Sequence, residues 1–155
     1  MPAATARTFA SGLAHREATR VAHTFADPHT TAVHVVALPE EMPLEEAGEI
    51  VDRLRGDLRL PLGRVVVNQC RPPPPPGAAA ALAAVRRYGD ADPACAALAV
   101  AAGRALGWLR LQEDGIAALE RRLGVTAERL PRIDAQPFGR AQVELLADEL
   151  GGAAP

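Results

Sequence analysis

The chain has 155 residues with 17 basic and 19 acidic side chains, a net charge of −2, and all of its basic residues are arginine. That length suits one domain, spanning 1–155, which can bury roughly two-thirds of its surface on folding. The balanced charge offers no electrostatic footprint for nucleic acid, and 3% aromatic residues offer no platform for stacking bases.

Targeting signals are equally sparse. The stretch MPAATARTFASGLAHREATR lacks the basic start and long apolar core of a secretory signal. The longest apolar run, Ala94 to Ala102, is too short to span a bilayer and is followed by Gly103 and Arg104. Two cysteines make no disulfide framework. These features predict a cytoplasmic protein without membrane insertion. The alanine and arginine bias is that of a high-GC coding sequence.

In chain order, Thr5 to Phe25 carries an apolar stripe (Phe9, Leu13, Ala14, Ala18, Val21, Ala22, Phe25) that predicts a helix, stopped by Asp27 and Pro28. Ala32 to Leu38 is a valine-rich run of the kind that forms a strand covered on both faces. Pro43 suits the first turn of the next helix, and Glu45 and Glu46 place negative charge at its positive end. Its apolar face is Leu44, Ala47, Ile50, Val51 and Leu54. A second apolar strand, Arg64 to Val67, ends in Asn68 and Gln69. The length of the intervening helix favours a parallel crossover, right-handed in nearly all such units.

The run RPPPPPG, Arg71 to Gly77, enforces an extended path without backbone donors and reads as a stiff spacer or, alternatively, a ligand for a proline-recognition domain. Ala78 to Tyr88 predicts a helix of small side chains. Asp92 and Pro93 start another through about Leu111, and a further helix covers Asp114 to Leu123, capped by Gly124. The segment ERLPRI, Glu128 to Ile133, is ambiguous by pattern. Arg140 to Leu150 predicts a last helix, and 151–155 a frayed tail.

Taken together, TTAVHVVALPEEMPLEEAGEIVDRL and LPLGRVVVNQC resemble the carboxyl-terminal half of the anion-transporting ATPase family, which includes arsenite-pump ATPases and ATPases that target tail-anchored membrane proteins. The residues that carry the likeness are Asp27, Pro28 and Thr31, then Pro39 and Glu40, then Val66, Val67 and Asn68, with a closing LP and PFG at Leu130 to Gly139. The likeness extends over about 9–150. It implies an α/β fold: a partial parallel sheet of two or three strands flanked by helices, resembling the carboxyl-terminal half of a P-loop NTPase domain. It also makes ERLPRI the last strand and starts the chain in the last helix of the family's helical insertion.

Asn68 is expected where parallel sheets bind ligands, and its carboxamide matches the N6 and N7 edge of adenine, although an asparagine closing a strand is also a common turn residue. The resemblance makes Asn68 and Pro131 the adenine-binding residues. The same resemblance exposes a gap. Family members hold phosphates with a glycine-rich turn bearing lysine, and this chain has no lysine and no G-x-x-x-x-G-K-[ST] pattern.

The expectation is therefore an ATP site that is weak or forms only with a partner, no Mg2+ bound by this chain alone, and no ATP hydrolysis alone. The partner would be a P-loop half or a second copy, and the chain a separated half, a degenerate paralogue or a fragment. The alternative is a non-catalytic interaction or regulatory module from the same family.

Other chemistry is poorly supported. The four histidines (His15, His23, His29, His34) make no H-x-x-H or H-x-x-x-H pair, and Cys95 is followed three residues on by Leu98, so the zinc-binding C-x-x-C of tail-anchor-targeting relatives is absent. Cys70 suits a small buried residue better than an arsenite ligand, which needs several converging thiolates. Glu40, Glu41, Glu45 and Glu46 are explained by a solvated helix start. No catalytic residue and no metal ligand is assigned.

Overall fold

The structure, a computed structural model, describes residues 12–89 and 92–151. The first residues of the expected amino-terminal helix, the start of the family likeness at Phe9, and the tail beyond Gly151 lie outside the described residues.

The order of elements is α1 (Leu13–Ala26), β1 (Val33–Ala37), α2 (Glu41–Arg53), β2 (Leu62–Cys70), α3 (Ala78–Tyr88), α4 (Pro93–Leu123), β3 (Glu128–Pro131) and α5 (Arg140–Gly151). The fold is α/β, with one three-stranded parallel sheet in the order β1-β2-β3 flanked by helices. The second and third strands are each reached through a helical crossover, α2 and then the pair α3 and α4, as parallel pairing requires.

The core lies on one face. Val35, Ala37, Val65, Val67 and Cys70 point into it from the sheet. Leu44, Ala47 and Val51 of α2 and Ile116, Leu119 and Leu123 of α4 close it from above. Val51, Val67 and Ile116 are its most completely buried side chains. Two details fix how α2 meets α4. A Cβ added at Gly115 would stand 2.8 Å from Leu44 Cδ1, so any larger residue there would have to push that leucine aside. One turn further along, Arg122 crosses Gly48 and pairs with Asp52 at 2.6 Å.

Side chains alternate along a strand, so Val36, Val66, Asn68 and Leu130 belong to the opposite face. There α5 rests on β3, and Arg64 Nη1 donates to the last-turn carbonyl of Leu150 at 2.7 Å and to Glu128 at 3.3 Å. Val66 and Leu130 are buried there, while Val36 on the neighbouring strand is 61% exposed.

The main departures from the expected boundaries lie in α4, α2 and β2. The predicted break between two helices at Leu111 to Asp114 does not occur, and α4 runs unbroken for 31 residues to Gly124, whose left-handed φ of 65° ends it. Asp114 and Gly115 mimic a helix start in sequence, but here the glycine serves packing. Helix α2 starts at Glu41, with Pro43 inside its first turn, and closes in a π-helical turn over Leu54–Leu58 that Arg59 ends in a left-handed conformation. Strand β2 continues to Cys70 instead of stopping at Val67.

Candidate functional site at the strand tips

The carboxyl ends of β2 and β3 meet through an irregular ladder. Val67 aligns with Arg129 and Cys70 with Pro131, so β2 spends one residue more than β3 between the two pairings. The extra residue is absorbed at Gln69, which has a φ of 61°. Asn68 makes this possible, since its Oδ1 accepts the Gln69 N–H at 2.8 Å. The ladder resumes beyond the bulge, where Arg132 N–H donates to the Cys70 carbonyl at 2.8 Å.

Asn68 therefore sits inside the last turn of β2 rather than beyond its end, and is half-buried. Among the described residues its amide nitrogen donates to no protein atom, and Oδ1 keeps a second lone pair. Pro131 is the last residue of β3 and stands opposite Cys70, so the two expected adenine contacts are brought to the same end of adjacent strands.

Gln112, which the sequence pattern did not single out, organises this end of the sheet. Its side chain is buried, accepts the Arg71 N–H at 2.8 Å and donates to the Arg71 carbonyl at 3.1 Å. The amide thus substitutes for a ladder partner at the residue where β2 ends and the proline run begins. One sign was available: Gln112 falls on the stripe of Leu109, Ile116, Leu119 and Leu123, a polar residue on an apolar helix face. Beside it, Glu113 pairs with Arg129 of β3, and that guanidinium holds the Glu113 carboxyl below its ordinary range.

Cys70 is buried, its thiol donates to the Val67 carbonyl at 3.3 Å, and burial pushes its pKa up, with Arg129 opposing. Such a thiol stays protonated and is poorly disposed to bind a soft metal. Cys95 is half-exposed and lies 3.7 Å from Asp92. His34 fills an irregularity at the start of the sheet, its Nδ1 accepting the Arg64 N–H at 3.0 Å. Among the described residues no group of three or more His, Cys, Asp or Glu is clustered as metal ligands would be. Glu40, Glu41, Glu45 and Glu46 are all exposed.

Next to the strand tips, the proline run, α3 and the amino-terminal half of α4 enclose a cleft of about 540 Å³. Its walls are apolar and its polar groups are Arg71, Arg132 and Asp134. Asn68 and Pro131 do not line it. Helix α4 is long and apolar enough to cross a membrane by length and composition, a property hidden in the sequence by its division into two helices. Its carboxyl-terminal half, however, is bound to the sheet. No protein-family model matches this chain, and no curated protein matches it.

Proposed function

We propose that this chain is the carboxyl-terminal, adenine-side lobe of an anion-transporting-type ATPase, and that a second chain completes it. The observation that carries the proposal is the position of Asn68 and Pro131 within two residues of each other in the β2–β3 register, at the carboxyl ends of adjacent parallel strands where ligands of open α/β sheets bind, with Cys70 the direct partner of Pro131. The unused amide nitrogen of Asn68 can donate to adenine N7, and its Oδ1 can accept from N6. Pro131 offers an apolar edge to the ring. Phosphate binding, Mg2+ and the hydrolytic step belong to the partner, because the chain supplies no lysine to hold a triphosphate.

The partner's place is suggested by the two edges of the sheet. Strand β3 has four residues and carries Arg129 and Pro131, features that discourage further pairing. Strand β1, VHVVA, has neither charge nor proline. Val33 N–H bonds Pro61, so by alternation the backbone groups of His34 and Val36 face the free edge. Parallel sheets are normally covered on both faces, and among the described residues the uncovered part is the β1 side of the second face.

The test is light scattering with the isolated chain at micromolar concentration. Self-association, abolished by Val36→Arg, is the expected result when no P-loop half is present. A strictly monomeric wild-type chain counts against an incomplete lobe.

A second reading, a non-catalytic interaction module, is favoured by one observation. Leu98, Val100, Trp108 and Leu111 on α4 are all more than half exposed. Calorimetry with ATP and ADP separates the two, since a module that has lost the base pocket binds neither with or without a partner.

A further inference from the structure

We infer that the cleft between the proline run, α3 and α4 is a binding site for a single-chain amphiphile with an anionic head, such as a fatty carboxylate. This inference does not depend on the nucleotide proposal, since neither Asn68 nor Pro131 lines the cleft.

Its volume, about 540 Å³, lies within the range of roughly 300–1,000 Å³ usual for small-molecule sites. The cleft is polarised along its length. At the end near the sheet, Arg71 and Arg132 directly follow β2 and β3, and the Arg132 N–H to Cys70 carbonyl bond keeps the two backbones together. Asp134 engages Arg132 at 2.8 Å. The Arg71 guanidinium has no protein partner among the described residues, while its backbone is clasped on both sides by Gln112. The three charges leave one positive charge unmatched at that end. A single carboxylate would match it, and an arginine fork binds carboxylates with two parallel hydrogen bonds.

Away from the sheet the lining is Leu82 and Val85 of α3 and Leu98 and Leu106 of α4. From Leu109 to Leu98 along the helix axis, the apolar track is roughly 16 Å long. What favours an alkyl chain over a peptide is the wall itself. Pro72, Pro73, Pro74 and Pro75 have no N–H, and the backbone of the facing helices is already bonded internally, so an extended peptide would find no ladder to join. A hydrocarbon chain needs none, and gains from each methylene it removes from water.

The experiment is calorimetry of the full chain with dodecanoate below its micellar concentration, alongside acetate and dodecyltrimethylammonium, with amide chemical shifts locating the site. Dodecanoate is expected to bind at one site, shifting the amides of Arg71, Leu82, Val85 and Leu106, while acetate fails to bind. The cationic amphiphile and the Arg71→Ala variant should each lose about ten-fold in affinity, the scale of one charge-assisted contact. Arg71→Lys should recover part of that loss, and the thermal midpoint of both variants should match wild type. Absent binding, as when a second copy fills the cleft, would overturn the inference. So would equal affinity for the cationic amphiphile, or an Arg71→Ala variant that binds like wild type.

Discussion

Val36 and Val66 are partners in the β1–β2 ladder and share a face of the sheet, yet Val66 is 5% exposed and Val36 61%. Turned the other way from the same two strands, Val35, Ala37, Val65 and Val67 are all buried. Residue type is nearly constant across these positions, so the difference comes from what lies above them. Helices α2 and α4 cover one face, while among the described residues α5 covers only the β3 side of the other. A strand of apolar residues fit for burial on both faces, but buried on one, marks the surface where the proposed partner would sit.

The comparison can be broken by substitution. Ile116 is the most buried side chain that α4 gives to the covered face. Ile116→Ala should cost about 2–5 kcal/mol in urea unfolding, whereas Val36→Ala on the open face should stay within about 0.5 kcal/mol. Equal losses would mean that the second face is as well packed as the first.

A smaller effect is expected at the clasp. Gln112→Leu keeps the volume and removes both hydrogen bonds to Arg71, for a loss of about 1–3 kcal/mol. The same change should raise amide exchange at Arg71 and in the proline-run connection, leaving β1 unaffected. If exchange rises in β1 as well, the clasp supports the whole sheet and not only the end of β2.

The smallest effect concerns Glu113 and Arg129, a pair more exposed than buried. Glu113→Gln should cost about 0.5 kcal/mol at neutral pH. Because Arg129 holds the folded-state pKa of Glu113 below its ordinary value, the stabilisation is present above the usual carboxylate range and disappears as pH falls through the depressed value. The gap between wild type and variant should therefore narrow as pH falls below the usual carboxylate range, read as the urea midpoint at each pH. A gap that persists there would show that the glutamine perturbs packing instead.

Much of the architecture is legible in the sequence because it rests on local pattern. The apolar runs around Val35 and Val66, the stripe Leu44, Ala47, Val51 and the αL glycine at 124 each announce their element without knowledge of a neighbour. What escapes depends on tertiary contact. Gly115 looks like a break until Leu44 is placed against it. The extension of β2 to Cys70 depends on a bulge that forms only because β3 is there to resume the ladder at Pro131. Gln112 is recognisable as a clasp only when Arg71 is known to end its strand beside it. Asn68 was visible as a carboxamide near a strand tip, but its bond to the Gln69 N–H, which leaves the amide nitrogen as the outward donor, was not.

The proposed adenine site depends most on that carboxamide. Amide chemical shifts of the isolated chain, followed during titration with adenosine to millimolar concentration, test it most directly. An adenine site at these strand tips should give shifts confined to Asn68, Gln69 and Leu130 to Arg132, and lost in Asn68→Ala. A spectrum that does not move, or moves equally in the variant, would contradict it.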